Sequence, residues 1–138
     1  MNEVETGLFS LFSGGTALTA LLTDGTAGVY AYLAHRGASG NYVVLNLVGG
    51  DAEPTFPPQF DTLVYSIKGV SHQSMGSAGA VDAQIRALLH DQESSLSVAS
   101  HSVWWAERED PFRYIEFTPD GDDVFHAGAN YRVRLYES

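Results

Sequence analysis

The stretch from Phe60 to Leu89, FDTLVYSIKGVSHQSMGSAGAVDAQIRALL, changes its hydrophobic period once. That change constrains the architecture more than any other feature. In the first third, Leu63, Tyr65 and Ile67 alternate with Val64, Ser66 and Lys68, a period of two that marks a strand. His72 to Ser77 is rich in Ser and Gly, which is connector chemistry. From Ala78 the period becomes helical. Val81, Ile85, Leu88 and Leu89 fall on one stripe, and Asp82 and Arg86 sit four apart on the face assigned to water. Ser77 is the expected N-cap. A strand that enters a connector and then an amphipathic helix must fold that helix back onto a sheet. The stretch therefore reads as the packing core of a small α+β domain. No nucleophile or metal cluster interrupts it.

The flanking sequence supplies the rest of that sheet. Glu3 to Leu22 carries an apolar stripe of Val4, Leu8, Leu11 and Phe12, resumed by Leu18, Leu21 and Leu22. Gly14-Gly15 interrupts it, and two glycines cost on the order of 2 kcal/mol in a helix interior, which predicts a break or a kink, two short helices being one form of it. Thr23-Asp24-Gly25 stops the helix. Val29 to Leu33 is a short strand, His35 to Gly40 a loop, and Tyr42 to Val48 a buried strand. Gly49 to Gln59 holds three prolines and paired glycines and reads as an irregular loop carrying Phe56, with Phe60 following it. Val98 to Ala106 and Arg113 to Phe117 read as two strands, the second ended by Pro119-Asp120-Gly121. Trp104 and Trp105, being adjacent in a strand, are expected on opposite faces. Tyr131 to Tyr136 is the last strand. The expectation is one domain over residues 1–138, a mostly antiparallel β-sheet with two principal helices packed on it.

Composition narrows the function. With 138 residues, 44% of them hydrophobic, the chain can bury one core. No apolar run approaches the roughly 18–20 residues that cross a bilayer, and the opening MNEVETGLF is acidic where a signal peptide is basic. The lack of cysteine excludes disulfides and thiolate metal sites. The net charge of −10, with Lys68 the single lysine, opposes nucleic acid phosphate and anionic membrane alike.

The candidate chemistry is sparse. His35, His72, His90, His101 and His126 show none of the helical spacing of compact zinc motifs and read as loop or surface residues. Asp120-Gly121-Asp122-Asp123 lacks the closing Glu of a calcium loop and reads as a solvated hairpin turn; Glu107, Glu109 and Asp110 form a second acidic run. There is no G-x-S-x-G elbow, and Gly76-Ser77-Ala78-Gly79 lacks a phosphate-loop lysine. Trp104, Trp105, Phe112 and Tyr114 cluster in sequence, but among acidic neighbours rather than the basic ones of a nucleic-acid platform. One Trp is expected in the core and the other at a subunit contact. No catalytic residue, cofactor or metal is assigned.

The order of elements resembles the tail-completion proteins of long-tailed bacteriophages, also called tail terminator or tail-to-head joining proteins. The resemblance rests on the helix Glu5-x-x-Leu8-Phe9-x-Leu11-Phe12, the strand Asn41-Tyr42-Val43-Val44, the strand Leu63–Val70 with the helix Ala80–Leu89, and the ending His126-Ala127-Gly128-x-x-Tyr131-Arg132-Val133. It implies a non-enzymatic virion protein, assembled in the host cytoplasm. Such a protein forms a ring, usually a hexamer, on the head-proximal end of the tail tube. The implied partners are further copies of the chain, the major tail tube protein and the head–tail connector. An acidic lumen would let DNA pass without release of counterions. Phe56, Pro57, Phe60 and Trp104 are the candidate subunit-interface residues. Two rival readings remain at this stage. One is a small ligand-binding or enzymatic domain using His101, Glu107 and Tyr114 around a pocket between sheet and helices; the other is a regulatory module that only dimerises.

Overall fold

The structure is a computed structural model, and it describes residues 2–34, 38–52 and 60–137. Helix α1 (Asn2–Gly14) ends at the glycine pair, and a one-turn helix α2 (Thr16–Thr19) follows, so the predicted break is present. Five strands form one sheet: β1 (Val29–Ala31), β2 (Asn41–Ala52), β3 (Phe60–Ser71), β4 (His101–Phe117) and β5 (Asp123–Glu137). Their order is β1-β2-β3-β5-β4; β1 runs parallel to β2 and every other pair is antiparallel. Helix α3 (Met75–Leu89) crosses back between β3 and β4. The fold is α+β, with α1 and α3 as its two principal helices.

The helices cover one face of the sheet. Val4, Leu8 and Phe12 of α1, with Val81, Ile85 and Leu89 of α3, bury against Val43, Leu45, Leu63, Tyr65, Ile67, Ala129, Tyr131, Val133 and Leu135. The strand residues obey the period of two, so the sheet turns its other face away from the helices. Gly69 marks the closest approach of α3. A Cβ there would lie 2.7 Å from Val81 Cβ and 2.8 Å from the Ala78 carbonyl oxygen, so only glycine lets the helix seat at this depth.

Several expectations are corrected. The N-cap of α3 is Ser74, whose hydroxyl accepts the Ser77 N–H at 3.0 Å, so the helix starts at Met75 and the connector is shorter than it reads. Ala78, Val81, Asp82, Ile85 and Leu89 are its buried residues; Leu88 is half-buried, at the side of the stripe. Asp82 therefore does not face water with Arg86. It is 6% exposed and takes both arms of the Arg108 guanidinium, at 2.9 and 3.0 Å. Arg108 also donates to the Tyr131 hydroxyl at 3.4 Å. Burial alone would lower the Arg108 pKa, but its hydrogen bonds and ion pair with Asp82 outweigh that and leave it raised.

The strands are also longer than the sequence suggests, because bulges absorb the local breaks. β2 continues through Gly49-Gly50 to Ala52 with a register shift at Val48, so residues 49–52 of the expected irregular loop are strand, and the rest of that stretch is residues 53–59. That segment, with Phe56 and Pro57, lies outside the described residues, as do residues 35–37. The two predicted strands 98–106 and 113–117 are one strand, β4, with a register shift between Glu109 and Phe112 where Asp110 takes φ 44°. Pro111 follows, tolerated because β4 is an edge strand whose outer N–H groups need no partner.

Candidate assembly surface

The helix-free face of the sheet gathers most of the aromatic and polar residues that the core excludes. At one end, four strands contribute a cross-strand row of Tyr42, Val70, His126 and Tyr114. Tyr42, Val44, Val70 and Val124 bury there, with Tyr30, Ala34 and Ala38 packed against them. Tyr30, Ala34 and Ala38 thus cover this corner. The rest of the row is a polar network. Tyr114 stacks on His126 with ring centroids 4.4 Å apart and planes 10° apart, and Lys68 Nζ donates to the Tyr114 hydroxyl at 2.8 Å. His126 is 6% exposed; its Nε2 lies 2.9 Å from Glu116 Oε1, while Nδ1 is buried with no partner. Burial lowers the His126 pKa, nearby Lys68 adds to that, and the Glu116 hydrogen bond opposes it.

The opposite end of the same face is more open. β4 shifts register between Val103, which pairs with Leu135, and Trp105, which pairs with Arg134. Trp104 is the extra residue. A bulge breaks the alternation, so the two tryptophans share a face instead of straddling the sheet. The Arg134 guanidinium carbon sits 5.4 Å from the Trp104 ring and 5.2 Å from the Trp105 ring, within cation–π range of both. Trp104 is 55% exposed and Trp105 37%, so neither is the core residue the sequence led us to expect. Arg132 Nε donates to Glu109 Oε1 at 2.9 Å one row away. The backbone of Phe60 pairs with Tyr136, which pairs with Ser102, so β3 begins at this same end of the sheet. The structure therefore brings two of the four sequence-predicted interface positions, Phe60 and Trp104, to one end. It also adds Trp105 and Arg134, which sequence reasoning missed. The two rings over one arginine were not recoverable from the sequence, because a bulge has no periodic signature.

The residues of the rival pocket reading do not meet. His101, Glu107 and Tyr114 pair with Glu137, Arg132 and His126 respectively and are strung along β4. Thirteen residues of strand separate the first from the last, roughly 40 Å. His101 Nδ1 bonds its own neighbourhood, the Ala99 carbonyl, at 2.8 Å. The structure does hold a groove of about 730 Å³, but on the helix side, between α1 and the segment before β4. It is lined by Gly7, Leu11, Gly15, Leu88 and Ser97, with Glu3 its one ionisable lining residue and none of the three rival candidates. Among the described residues no group of three or more His, Asp or Glu side chains is placed to hold a metal ion.

No protein-family model matches the chain, and no curated protein matches it. Among solved structures, a chain of one described as "Virion of native gene transfer agent (GTA) particle" superposes on it with a TM-score of 0.69. The match covers 96% of this chain and 94% of that chain at 14% sequence identity, so what the two share is the fold, from end to end.

Proposed function

We propose that this chain is a structural subunit of a phage or phage-like particle and acts as a tail terminator. In this reading copies form a ring, hexameric in the family it resembles, at the head-proximal end of the tail tube. The ring ends tube growth and joins the tail to the head connector. The observation that carries the reading is the end-to-end likeness of fold to a chain of a gene transfer agent virion. The order of sequence elements supports it independently. So does the spread of polar side chains along strands, with no converging acid, base and nucleophile among the described residues. Its partners are further copies, the tail tube protein and the connector. DNA would pass the acidic ring without being gripped. Phe56, Pro57, Phe60 and Trp104 are the proposed contact residues, because the three prolines of the sequence around Phe56 limit the entropy lost when that stretch is ordered.

Negative-stain imaging of the purified protein mixed with tail tubes tests this. A ring capping one end of each tube is the expected result. Tubes that stay uncapped and keep growing in its presence would overturn the reading. Phe56→Ser should abolish capping while leaving the melting temperature within a few degrees; a variant that melts normally and still caps removes Phe56 from the contact.

A further inference from the structure

The chain has two tryptophans, and both stand on the helix-free face of the sheet, half open to solvent over one arginine. Large aromatic side chains are costly to leave in water, and Trp and Arg are the residue types most enriched where a protein contact carries its energy. The charges of this face bear on what contacts it. By register, the face of β3, β5 and β4 carries Lys68, Arg132 and Arg134 together with Glu107, Glu109 and Glu116. The charges that the register places on this face thus balance, while the chain as a whole carries −10. The acidic excess lies elsewhere. Two copies of so acidic a chain repel over most approaches, and this face is where that repulsion is least.

The area is of the needed order. Three strands about 4.8 Å apart and about 12 residues long, at about 3.3 Å per residue, present roughly 570 Å² in projection, and their side-chain relief adds accessible surface. A standard interface takes about 800 Å² from each partner. We infer that the helix-free sheet face, anchored at its Trp104–Trp105–Arg134 end, is a contact surface for a second copy of this chain. The inference rests on the reading of the chain as a self-assembling subunit and names the face that assembles.

Tryptophan fluorescence, excited selectively over tyrosine, reports on this face alone, because no tryptophan lies anywhere else. The experiment follows emission wavelength and acrylamide quenching of the full-length protein against concentration, with mass photometry of the same samples. Burial of the indoles shows as a blue shift and a loss of quenching that track assembly. Trp104→Ser and Trp105→Ser should each weaken assembly about 30-fold or more, as expected of an interfacial hot spot. Both positions are exposed, so circular dichroism should stay that of the parent. A ring with shielded indoles upholds the face and the ring together. A dimer with shielded indoles upholds the face and refutes the ring. A ring whose indoles stay open to quencher refutes the face and leaves the ring standing. A chain that stays monomeric with open indoles, or whose indoles are shielded only on adding duplex DNA, overturns the inference.

Discussion

Removing Asp82 should be among the most damaging single changes in α3, although the sequence places it among wet residues. Its side chain is 8% exposed and accepts from Arg108 at 2.9 and 3.0 Å; the Arg108 side chain is itself only 15% exposed. Asp82→Ala leaves that guanidinium largely buried without its counter-ion, keeping only the long bond to Tyr131. Breaking a buried pair from one side costs about 3–5 kcal/mol, and the residual exposure of Arg108 argues for the lower end, about 3 kcal/mol. For 138 residues, at about 2.1 cal/mol/K each, the entropy of unfolding is about 0.29 kcal/mol/K, so the melting temperature should fall by about 10 °C. The pair differs from an exposed bridge in a second way. Asp82→Leu with Arg108→Met should recover most of the loss, since an apolar pair of similar volume avoids the desolvation of both charges. Thermal and urea unfolding of the two single variants and the double variant, analysed as a cycle, measures this. A loss below about 1 kcal/mol for Asp82→Ala, or single-variant losses that simply add in the double, would show that the pair behaves as a surface bridge and would refute the reasoning.

Three further outcomes follow from the packing. Ile85→Ala should cost about 2–5 kcal/mol in urea unfolding, while Leu88→Ala, half-buried at the groove, should cost about 1 kcal/mol; equal losses would contradict the observed helix face. Gly69→Ala should destabilise by about 1–3 kcal/mol, because the added methyl meets Val81 and the α3 backbone; an unchanged melting temperature would mean α3 does not sit that deep. His126, facing Glu116, Lys68, His72 and Tyr114, has a lowered pKa in the fold, so the unfolded chain binds its proton first. Its contribution is complete above the unfolded value of about 6.5 and is lost as pH falls below it, and His126→Gln should flatten that slope in a pH series of melting temperatures.

The parts of this fold that were legible in the sequence are those set by short-range period. Leu63, Tyr65 and Ile67 declare their face because each is two residues from the next. Val81 and Ile85 declare theirs by the helical repeat, and Gly14-Gly15 breaks α1 because the cost of glycine is local. What was not legible depends on partners far along the chain or on irregular backbone. Asp82 looked solvated because Arg86 is its neighbour on the helix, whereas its partner is Arg108, 26 residues away on β4. Ser77 looked like a cap, but Ser74 takes that role. Trp104 and Trp105 were placed on opposite faces by a strict period of two, and one extra residue in β4 cancels it. That Phe60 and Trp104 lie toward one end of the sheet depends on the pairing of β3, β5 and β4, which the sequence does not declare.

The bulges that hid the site also bear on how copies of the chain can meet. β4 is a 17-residue edge strand, and a long flat edge would invite strand addition by any neighbour. Two features oppose that. The register shift at Trp104 twists the strand where a partner would dock, and the second shift places Asp110 at positive φ before Pro111, which offers no N–H. Glu107, Glu109 and Asp110 add charge along the same middle stretch. At the other side of the sheet, β1 covers only Val43 to Leu45 of β2, and the β2 residues beyond include the bulged Val48. Edge-to-edge growth is thus disfavoured at the longer edge and irregular at the shorter one. The same bulge that spoils the β4 edge turns Trp104 onto the face beside Trp105. One extra residue therefore both disfavours pairing through the edge and presents two indoles from the face, so in the proposed self-association side-chain contact is favoured over open-ended sheet extension.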